Sequence, residues 1–354
     1  MDSILVTGGC GYIGSHTVLS LLVKGLDVYI IDSNCNSSPL VINRLRNILK
    51  KNKLQLSNNL YFIKGDVRIA ADLEKVFLRA LENKHNISGV IHFAGLKAVE
   101  ESCYSPLQYW DTNLVGTINL LKVMKKYNCR NLIFSSSATI YCNSIKNKLK
   151  EDSPIKPINP YGRTKTTVEI LLNDIFLSDD KWKIINLRYF NPIGAHQSGE
   201  IGEDPIGVPN NIFPLILNVA AKQINELKVF GKDWNTKDGT CIRDYIHVMD
   251  LADGHIAALN YLQNNSSQIL NLNIGTGIGN SVLDLINIFQ EVNNVEVPYS
   301  FVKRREGDRA EIIADNTKIL SILNWEPKRS LKSMCLDGWK WHLMNPNGYS
   351  LQNY

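Results

Sequence analysis

The sequence predicts an α/β protein with a doubly wound parallel sheet, followed by a smaller C-terminal mixed α/β domain that binds substrate. Three observations carry this reading. Apolar strand-like runs alternate with helical stretches from the first residues to about position 190, the pattern of strand–helix–strand crossovers. Glycines, carboxylates and hydroxyls gather just past the ends of those runs, and in such sheets a ligand sits at the carboxyl ends of the strands. From about Asn191 the texture changes to loops rich in Gly, Pro, Asn and acids, with irregular short elements after them.

The first element is Ile4-Leu5-Val6-Thr7, a short buried strand that runs into Gly8-Gly9-Cys10-Gly11-Tyr12-Ile13-Gly14. A helix is expected to begin near Gly14-Ser15 and to end at Lys24, before Gly25. Gly8, Gly11 and Gly14 let the chain bend sharply and bring backbone N–H groups close to a ligand. The partial positive charge of a helix N-terminus suits a pyrophosphate. Taken alone, such a turn also occurs without any ligand. Val28–Asp32 reads as a second buried strand, and Asp32 stands where an acid meets adenosine ribose hydroxyls. An acid there favours NAD over NADP, whose extra phosphate it would repel.

Residues 44–53 read as a surface helix, Leu60–Val67 as a third strand ending on Asp66, and Asp72–Leu81 as a helix. Gly89–Gly95 is a fourth strand, Leu114–Lys126 a long helix, and Asn131–Ser137 a fifth strand ending on hydroxyls. Pro160–Phe176 is a helix and Trp182–Phe190 a strand. This places the first domain at residues 1–190, with about 240–265 returning to it, and the second mainly at 191–354. A second glycine turn, Gly275-Thr276-Gly277-Ile278-Gly279, is explained by Ser281 and Asp284, which form an N-cap for a helix over Val282–Val292.

Composition bounds the function classes. Hydrophobic residues make up 44% and charged residues 21%, ordinary for a soluble globular enzyme with a sizeable core. The formal charge of +5 is mild and no Lys/Arg block stands out, which argues against nucleic acid as a partner. No signal peptide and no apolar run of membrane-spanning length is seen, so no membrane role is expected. The seven cysteines show no Cys-x-x-Cys spacing and read as reduced thiols of a cytoplasmic protein, with Cys10 a small filler in a tight turn. The seven histidines show no metal-ligand grouping, and no metal is expected.

The chemistry-bearing pattern is Tyr161-Gly162-Arg163-Thr164-Lys165. Tyr and Lys four apart share a helix face; by itself the spacing is common and usually marks two surface side chains. Downstream of Ser135–Ser137 in a nucleotide-binding sheet, it gains meaning. A free tyrosine near pKa ~10 is a poor base at neutral pH. A cation at about 6 Å, with an effective dielectric of about 20, favours the phenolate by roughly 2.8 kcal/mol, or about two pK units. Lys165 and an oxidised nicotinamide ring together bring Tyr161 toward the neutral range, and Ser137 orients or relays its proton.

On these motifs the chain resembles the extended short-chain dehydrogenase/reductase family. The matching stretches are Val6–Thr17, His92–Val99, Phe134–Thr139, Tyr161 with Lys165, Leu187–Pro192, Arg243–Gly254 and residues 304–308, spread over nearly the whole chain. The later stretches resemble the members that invert C4 of UDP-hexoses. The resemblance implies a Rossmann-type sheet, a tightly bound NAD that is not consumed, and interconversion of UDP-galactose and UDP-glucose through a 4-keto sugar. It also implies a place in galactose metabolism and a homodimer paired through helices including Leu114–Lys126.

By position, Tyr161 is the implied base, Lys165 tunes it and holds the nicotinamide ribose, and Ser137 assists proton transfer. Gly8, Gly11, Tyr12, Ile13, Gly14, Asp32, Asn34, Cys35, Asn36, Ser37, Asp66, Val67, Phe93, Ala94, Gly95, Lys97, Asn113, Ser137, Tyr161, Lys165 and Phe190 are the implied cofactor contacts. Lys97, Ser137, Thr139, Tyr161, Asn191, Asn211, Ile212, Lys228, Val229, Phe230, Arg243, Tyr245, Val282, Arg305, Asp308 and Ile312 are the implied UDP-sugar contacts. Arg243 and Arg305 suit a pyrophosphate; without the resemblance each reads as a solvated surface arginine.

Two departures stand out. Ile312 occupies a pocket position where a tyrosine resembles the glucose/galactose-only members and a small residue those that also take N-acetylated sugars. Its intermediate size leads us to expect at least weak turnover of UDP-GlcNAc and UDP-GalNAc. Cys142 replaces a common glycine and has no functional reading. Three rivals share the fold: a nucleotide-sugar 4,6-dehydratase, against which Ser137-Ala138-Thr139 offers no carboxylate for elimination; a dehydrogenase with exchangeable NAD; and a non-catalytic NAD sensor, against which Tyr161, Lys165 and Ser137 are intact.

Overall fold

A computed structural model describes residues 2–52, 59–142, 148–207, 209, 211–305 and 307–349. Lys53 of the expected second helix, Asn210 of the loop after position 191 and Glu306 of the last matching stretch lie outside the described residues.

The chain opens with β1 (Asp2–Thr7), α1 (Tyr12–Val23), β2 (Asp27–Asp32), α2 (Val41–Lys51), β3 (Leu60–Lys64), α3 (Ala70–Glu82) and β4 (Asn86–His92). Next come α4 (Val99–Tyr104), α5 (Pro106–Trp110), a π-helical turn (Asp111–Val115), α6 (Gly116–Lys126) and β5 (Asn131–Ser137). A 3₁₀ turn (Ala138–Ile140), α7 (Pro160–Ser178) and β6 (Lys183–Tyr189) follow. Seven parallel strands form the main sheet in the order β3-β2-β1-β4-β5-β6, closed by β10 (Gln268–Ile274), which pairs with β6 from Gln268 opposite Lys183 to Ile274 opposite Tyr189. Strand order reverses between β1 and β4, and that crevice is where an open parallel sheet binds its ligand.

Successive strand residues point to opposite faces. Ile4, Val6, Val28 and Ile30 pack with Leu19, Leu45 and Leu251 on one face. Leu5, Tyr29 and Ile31 pack with Leu73, Leu120 and Val168 on the other. Each of these wholly buried aliphatic side chains contributes roughly 1.5–3 kcal/mol of transfer free energy, so the sheet is a stiff platform for what its edge carries.

The rest of the chain supplies β7 (Asn191–Ile193), α8 (Ile212–Ala220), β8 (Leu227–Phe230), β9 (Ile242–His247) and α9 (Val248–Asn264). After β10 come β11 (Gly279–Ser281), α10 (Val282–Asn293), β12 (Tyr299–Val302), β13 (Glu311–Ile312), α11 (Thr317–Leu323) and α12 (Leu331–Met344). Strand β9 pairs with β7, β11 and β13 in a second sheet, and β8 pairs with β12. Phe213, Leu217, Tyr245, Phe289 and Met334 fill the core beside them. Helix α9 instead sends Leu251, Ile256 and Leu259 into the core of the main sheet.

Several boundaries differ from the sequence reading for local reasons. Helix α1 starts at Tyr12, not Gly14, because Gly11 already serves as the extended N-cap at φ −72° and ψ 174°. The fourth strand stops at His92 because the amides of Phe93 and Ala94 both turn onto the Thr7 carbonyl, at 3.0 and 3.1 Å. The helix expected from Leu114 is the end of a longer rod that starts at Pro106, where proline at the first position needs no N–H partner. The second glycine turn carries a capping box: the Asp284 amide donates to Ser281 Oγ at 2.9 Å and the Ser281 amide to Asp284 Oδ2 at 3.0 Å. The amides of Thr276 and Gly277 donate to the buried Asp244 carboxylate, so that turn wraps a side chain of its own protein.

Candidate active site

The glycine turn between β1 and α1 forms one wall of a cleft at the carboxyl edge of the main sheet. Gly8 sits at φ +69°, and a Cβ there would lie 2.7 Å from the Ala94 nitrogen. A Cβ on Gly14 would lie 2.3 Å from the Gly8 carbonyl oxygen. Both positions therefore exclude a side chain, and among the described residues none caps the first turn of α1. A helix start with no side-chain cap, lining a cleft, is a seat for an anion.

Beside the glycine turn the cleft is organised around Asp32, only 8% exposed at the end of β2. Its Oδ2 accepts from the Cys10 amide at 2.9 Å, and its Oδ1 from the Asn34 amide and the Ser37 hydroxyl, both at 2.9 Å. Asn34 adopts φ +57°, which asparagine tolerates, and its amide side chain donates to Ser37 Oγ at 3.0 Å. The carboxylate is thus held in place before any ligand arrives. Asp66 lines the same end, paired with Arg68 at 2.6 Å, and that hydrogen bond holds its carboxyl below the ordinary range.

Of the expected cofactor residues, Gly8, Gly11, Tyr12, Ile13, Gly14, Asp32, Cys35, Asn36, Ser37, Asp66, Val67, Phe93, Ala94, Gly95, Lys97, Tyr161 and Lys165 line this one cleft. Asn113 stands behind it, in the π-helical turn. Its Oδ1 accepts from the Leu96 amide at 2.8 Å, and its Nδ2 donates to the Leu96 carbonyl at 3.1 Å and to Thr164 Oγ1 at 3.0 Å. It clamps the loop after β4 to α7. Phe190 is buried beside Ile140 and Ala314.

Tyr161 and Lys165 lie one turn apart near the start of α7, whose N-cap Asn159 accepts from the Gly162 amide at 2.8 Å. Lys165 Nζ sits 5.9 Å from the centre of the Tyr161 ring and 4.8 Å from that of Phe134, and donates to the Ser135 carbonyl at 2.7 Å. Burial pushes Lys165 down to about 8, opposed by the negative charge of Glu169. Burial also holds the Tyr161 phenol above its ordinary value, and a hydrogen bond with Ser137 pulls it back. Ser137 Oγ in turn accepts from the Thr139 amide at 3.2 Å and hydroxyl at 3.0 Å. A phenol with a hydroxyl partner and a nearby ammonium is an acid–base group able to move a proton.

The expected sugar-nucleotide residues cluster around β9. Asn191 pairs with Tyr245 and Ile312 with Arg243 across that strand. Arg243 donates to Asp308 at 3.1 Å and to the Arg309 carbonyl at 2.9 Å, and Arg305 stacks 4.5 Å over Phe230. Lys228 reaches Ser300 Oγ at 3.1 Å, while Val229 points into the core. Asn211 caps the position before Ile212 in α8 and sends its side chain to Glu203 at 3.2 Å, where Lys97 also lands at 3.1 Å. Val282 opens α10. Ile312 packs with Ala138 against Phe190 and Tyr141.

Sequence reasoning passed over several residues. Arg68, Tyr189, Glu203 and Tyr349 line the cleft. Glu169, four residues after Lys165, accepts from Ser136 at 2.5 Å and pairs with the buried Arg188 at 2.7 Å. The four-residue spacing of Tyr161, Lys165 and Glu169 was the available signal for the last of these.

Comparison with known proteins agrees with this arrangement. A family model described as GDP-mannose 4,6 dehydratase matches residues 5–337. The chain is 48% identical over 350 residues to the bifunctional UDP-glucose 4-epimerase and UDP-xylose 4-epimerase 1 of Pisum sativum, covering 99% of this chain and 98% of that protein. It is 46% identical over 347 residues to UDP-glucose 4-epimerase of Bacillus subtilis, covering 98% of each. Among solved structures, the UDP-glucose-4-epimerase of Stenotrophomonas maltophila with NAD and formylated UDP-arabinopyranose superposes with a TM-score of 0.90 at 43% identity, covering 97% and 98% of the two chains. That of Bifidobacterium longum with NAD+ and UDP gives 0.89 at 42%, covering 98% and 100%. The chain belongs to the extended short-chain dehydrogenase/reductase family, among the UDP-glucose 4-epimerases.

Proposed function

We propose that the protein interconverts UDP-galactose and UDP-glucose by reversible oxidation at sugar C4, with a resident NAD. The observation that carries this is the Tyr161–Lys165 pair, with Ser137 hydrogen-bonded to the phenol, at one end of a cleft whose other end is the side-chain-free glycine turn and Asp32. The residues present fit NAD: Gly8 and Gly14 have no room for a Cβ, the first turn of α1 is uncapped, and Asp32 is pre-ordered for two ribose hydroxyls. When bound, NAD supplies the hydride acceptor and donor for C4.

The chain's own residues do the rest. Tyr161, as phenolate, takes the proton of the 4-hydroxyl and gives it back to the same oxygen when the 4-keto sugar, turned over in the pocket, is reduced from its other face. Lys165 favours that phenolate and holds the nicotinamide ribose, and Ser137 orients the proton. Thr139 fixes Ser137. Arg243 and Arg305 hold the pyrophosphate, with Asn191, Asn211, Ile212, Lys228, Phe230, Tyr245 and Asp308 around the nucleotide and sugar. A sugar that must present both faces of C4 needs room to turn, which the cluster around Ile312 bounds. The size of Ile312 suggests weak turnover of N-acetylated UDP-hexoses as well.

We read residues 1–190 as the cofactor domain, rejoined by about 240–265, and 191–354 mainly as the sugar-nucleotide domain. A homodimer is supported by apolar side chains exposed on the mutually packed helices α4, α5 and α7: Tyr104 at 81%, Leu107 at 83% and Leu177 at 74%. The seven free cysteines suit a reducing cytoplasm, and no helix of the described residues is long and apolar enough to cross a membrane. Incubating the purified protein with UDP-galactose and no added cofactor tests the activity. UDP-glucose without net NADH is expected; NADH release or dependence on added NAD would favour a dehydrogenase, and a dehydrated product a 4,6-dehydratase.

A further inference from the structure

The cleft has a fourth wall drawn from residues 202–206. Gly202, Glu203, Asp204 and Pro205 line it, and this stretch crosses from one side to the other. Glu203 accepts from Lys97 at 3.1 Å, beside the loop after β4, and the Ile206 amide donates to Asn36 Oδ1 at 3.0 Å, beside the Asp32 cup. A dinucleotide running from Asp32 past the glycine turn toward Tyr161 is enclosed by this strap.

The strap is fastened by the end of the described chain. Tyr349 is 5% exposed, packs 4.8 Å from Trp341 ring to ring, and itself lines the cleft. Its hydroxyl donates to the Gly202 carbonyl and accepts from the Gly202 amide, both at 3.1 Å. Its amide donates to Asp204 Oδ2 at 2.8 Å, and Trp341 Nε1 donates to the Glu203 carbonyl at 3.3 Å. The fit leaves no slack: a Cβ on Gly202 would lie 2.3 Å from Trp341 Cγ, and one on Gly348, at φ +65°, 2.2 Å from Asp204 Oδ1. Asn345 Nδ2 holds the Gly199 carbonyl at 2.9 Å, upstream on the same stretch.

We propose that Tyr349 is a positioning residue for the cofactor: by pinning Gly202 it holds the strap shut and sets the lifetime of bound NAD. This rests on the NAD-dependent reading above. Neither Tyr349 nor Gly202 touches the Tyr161 group, so the effect is on retention and not on the proton transfer.

The test is the rate at which bound NAD leaves Tyr349→Phe and Tyr349→Ala, each purified as full-length protein, desalted, and chased with NADH while bound-NADH fluorescence is followed. Phe keeps the ring packing and removes only the two hydroxyl bonds, so it reports even if Ala unfolds. Tyr349→Phe is expected to release NAD about tenfold faster or more, since two hydrogen bonds to one buried residue are lost. Wild-type release rates in Tyr349→Phe would overturn the strap while leaving the resident cofactor intact. A wild-type protein that carries no NAD would overturn the resident cofactor, and the strap with it.

Discussion

Replacing Lys165 by methionine isolates one electrostatic effect. The ammonium stands 5.9 Å from the Tyr161 ring centre. Taking about 6 Å between the ammonium and a phenolate charge, with an effective dielectric of about 20, the two interact by about 2.8 kcal/mol, or about two pK units. An opposite charge favours the phenolate, so Lys165 lowers the Tyr161 pKa and its removal raises it. The reactive form is the deprotonated one, hence activity is lost as pH falls through that pKa. The acid limb of kcat should therefore move up by about two pH units in Lys165→Met, and at a fixed pH below both limbs the rate should drop about 100-fold. Lys165→Arg keeps the charge and should keep the limb near its wild-type position. The assay is conversion of UDP-galactose to UDP-glucose across pH, with NAD content measured on the same samples by absorbance. An acid limb unmoved in Lys165→Met, with NAD still bound, would refute the argument and leave the lysine a merely structural contact.

Tyr161→Phe should lower turnover about 10²- to 10⁴-fold, the usual range for a lost acid–base group, with NAD retained; near-normal turnover would remove Tyr161 from its role. Ile312→Ala should raise the ratio of UDP-GalNAc to UDP-galactose turnover, and undetectable N-acetyl epimerisation in both the wild type and this variant would sink the reading of that position. Arg188→Met strands the Glu169 carboxylate in a site where both partners are buried. Breaking such a pair destabilises by about 3–5 kcal/mol, so for a chain of this length calorimetry should show the midpoint falling by about 4–7 °C, and a fall under about 2 °C would contradict it.

The sheet was legible because its signals are local and repeated. Each strand of the main sheet through β5 is an apolar run closed by glycine, aspartate or serine, and Asn131–Ser137 is found at its expected limits. The glycine turn, Asp32 and the Tyr161–Lys165 spacing were legible for the same reason: each is set by a few consecutive residues. The second glycine turn was also resolved from neighbours, since Ser281 and Asp284 are three apart. Contacts over long sequence separations were not legible. Nothing near Tyr349 in the sequence announces its bonds to Gly202, 147 positions away. Helix α4 and the start of the rod at Pro106 escaped because residues 99–110 mix charged, aromatic and polar side chains without a clean period. Strands β7, β8, β12 and β13 have only two to four residues each, and their pairing, rather than their composition, makes them strands.

The π-helical turn at Asp111–Val115 sits inside one continuous rod from Pro106 to Lys126. A turn of that kind carries one residue more than an α-turn, and each α-helical residue is about 100° of rotation. The rod therefore shows two faces that are out of phase: Tyr109 and Asn113 are buried toward α7, while Leu120, Val123 and Met124 reach the main-sheet core. Deleting one residue there would heal the helix into a regular one, yet swing everything before it by about a third of a turn and pull Asn113 off Leu96. This segment is thus one in which chain length is under tighter constraint than residue identity, and an evolving sequence can repaint the rod far more easily than it can shorten it.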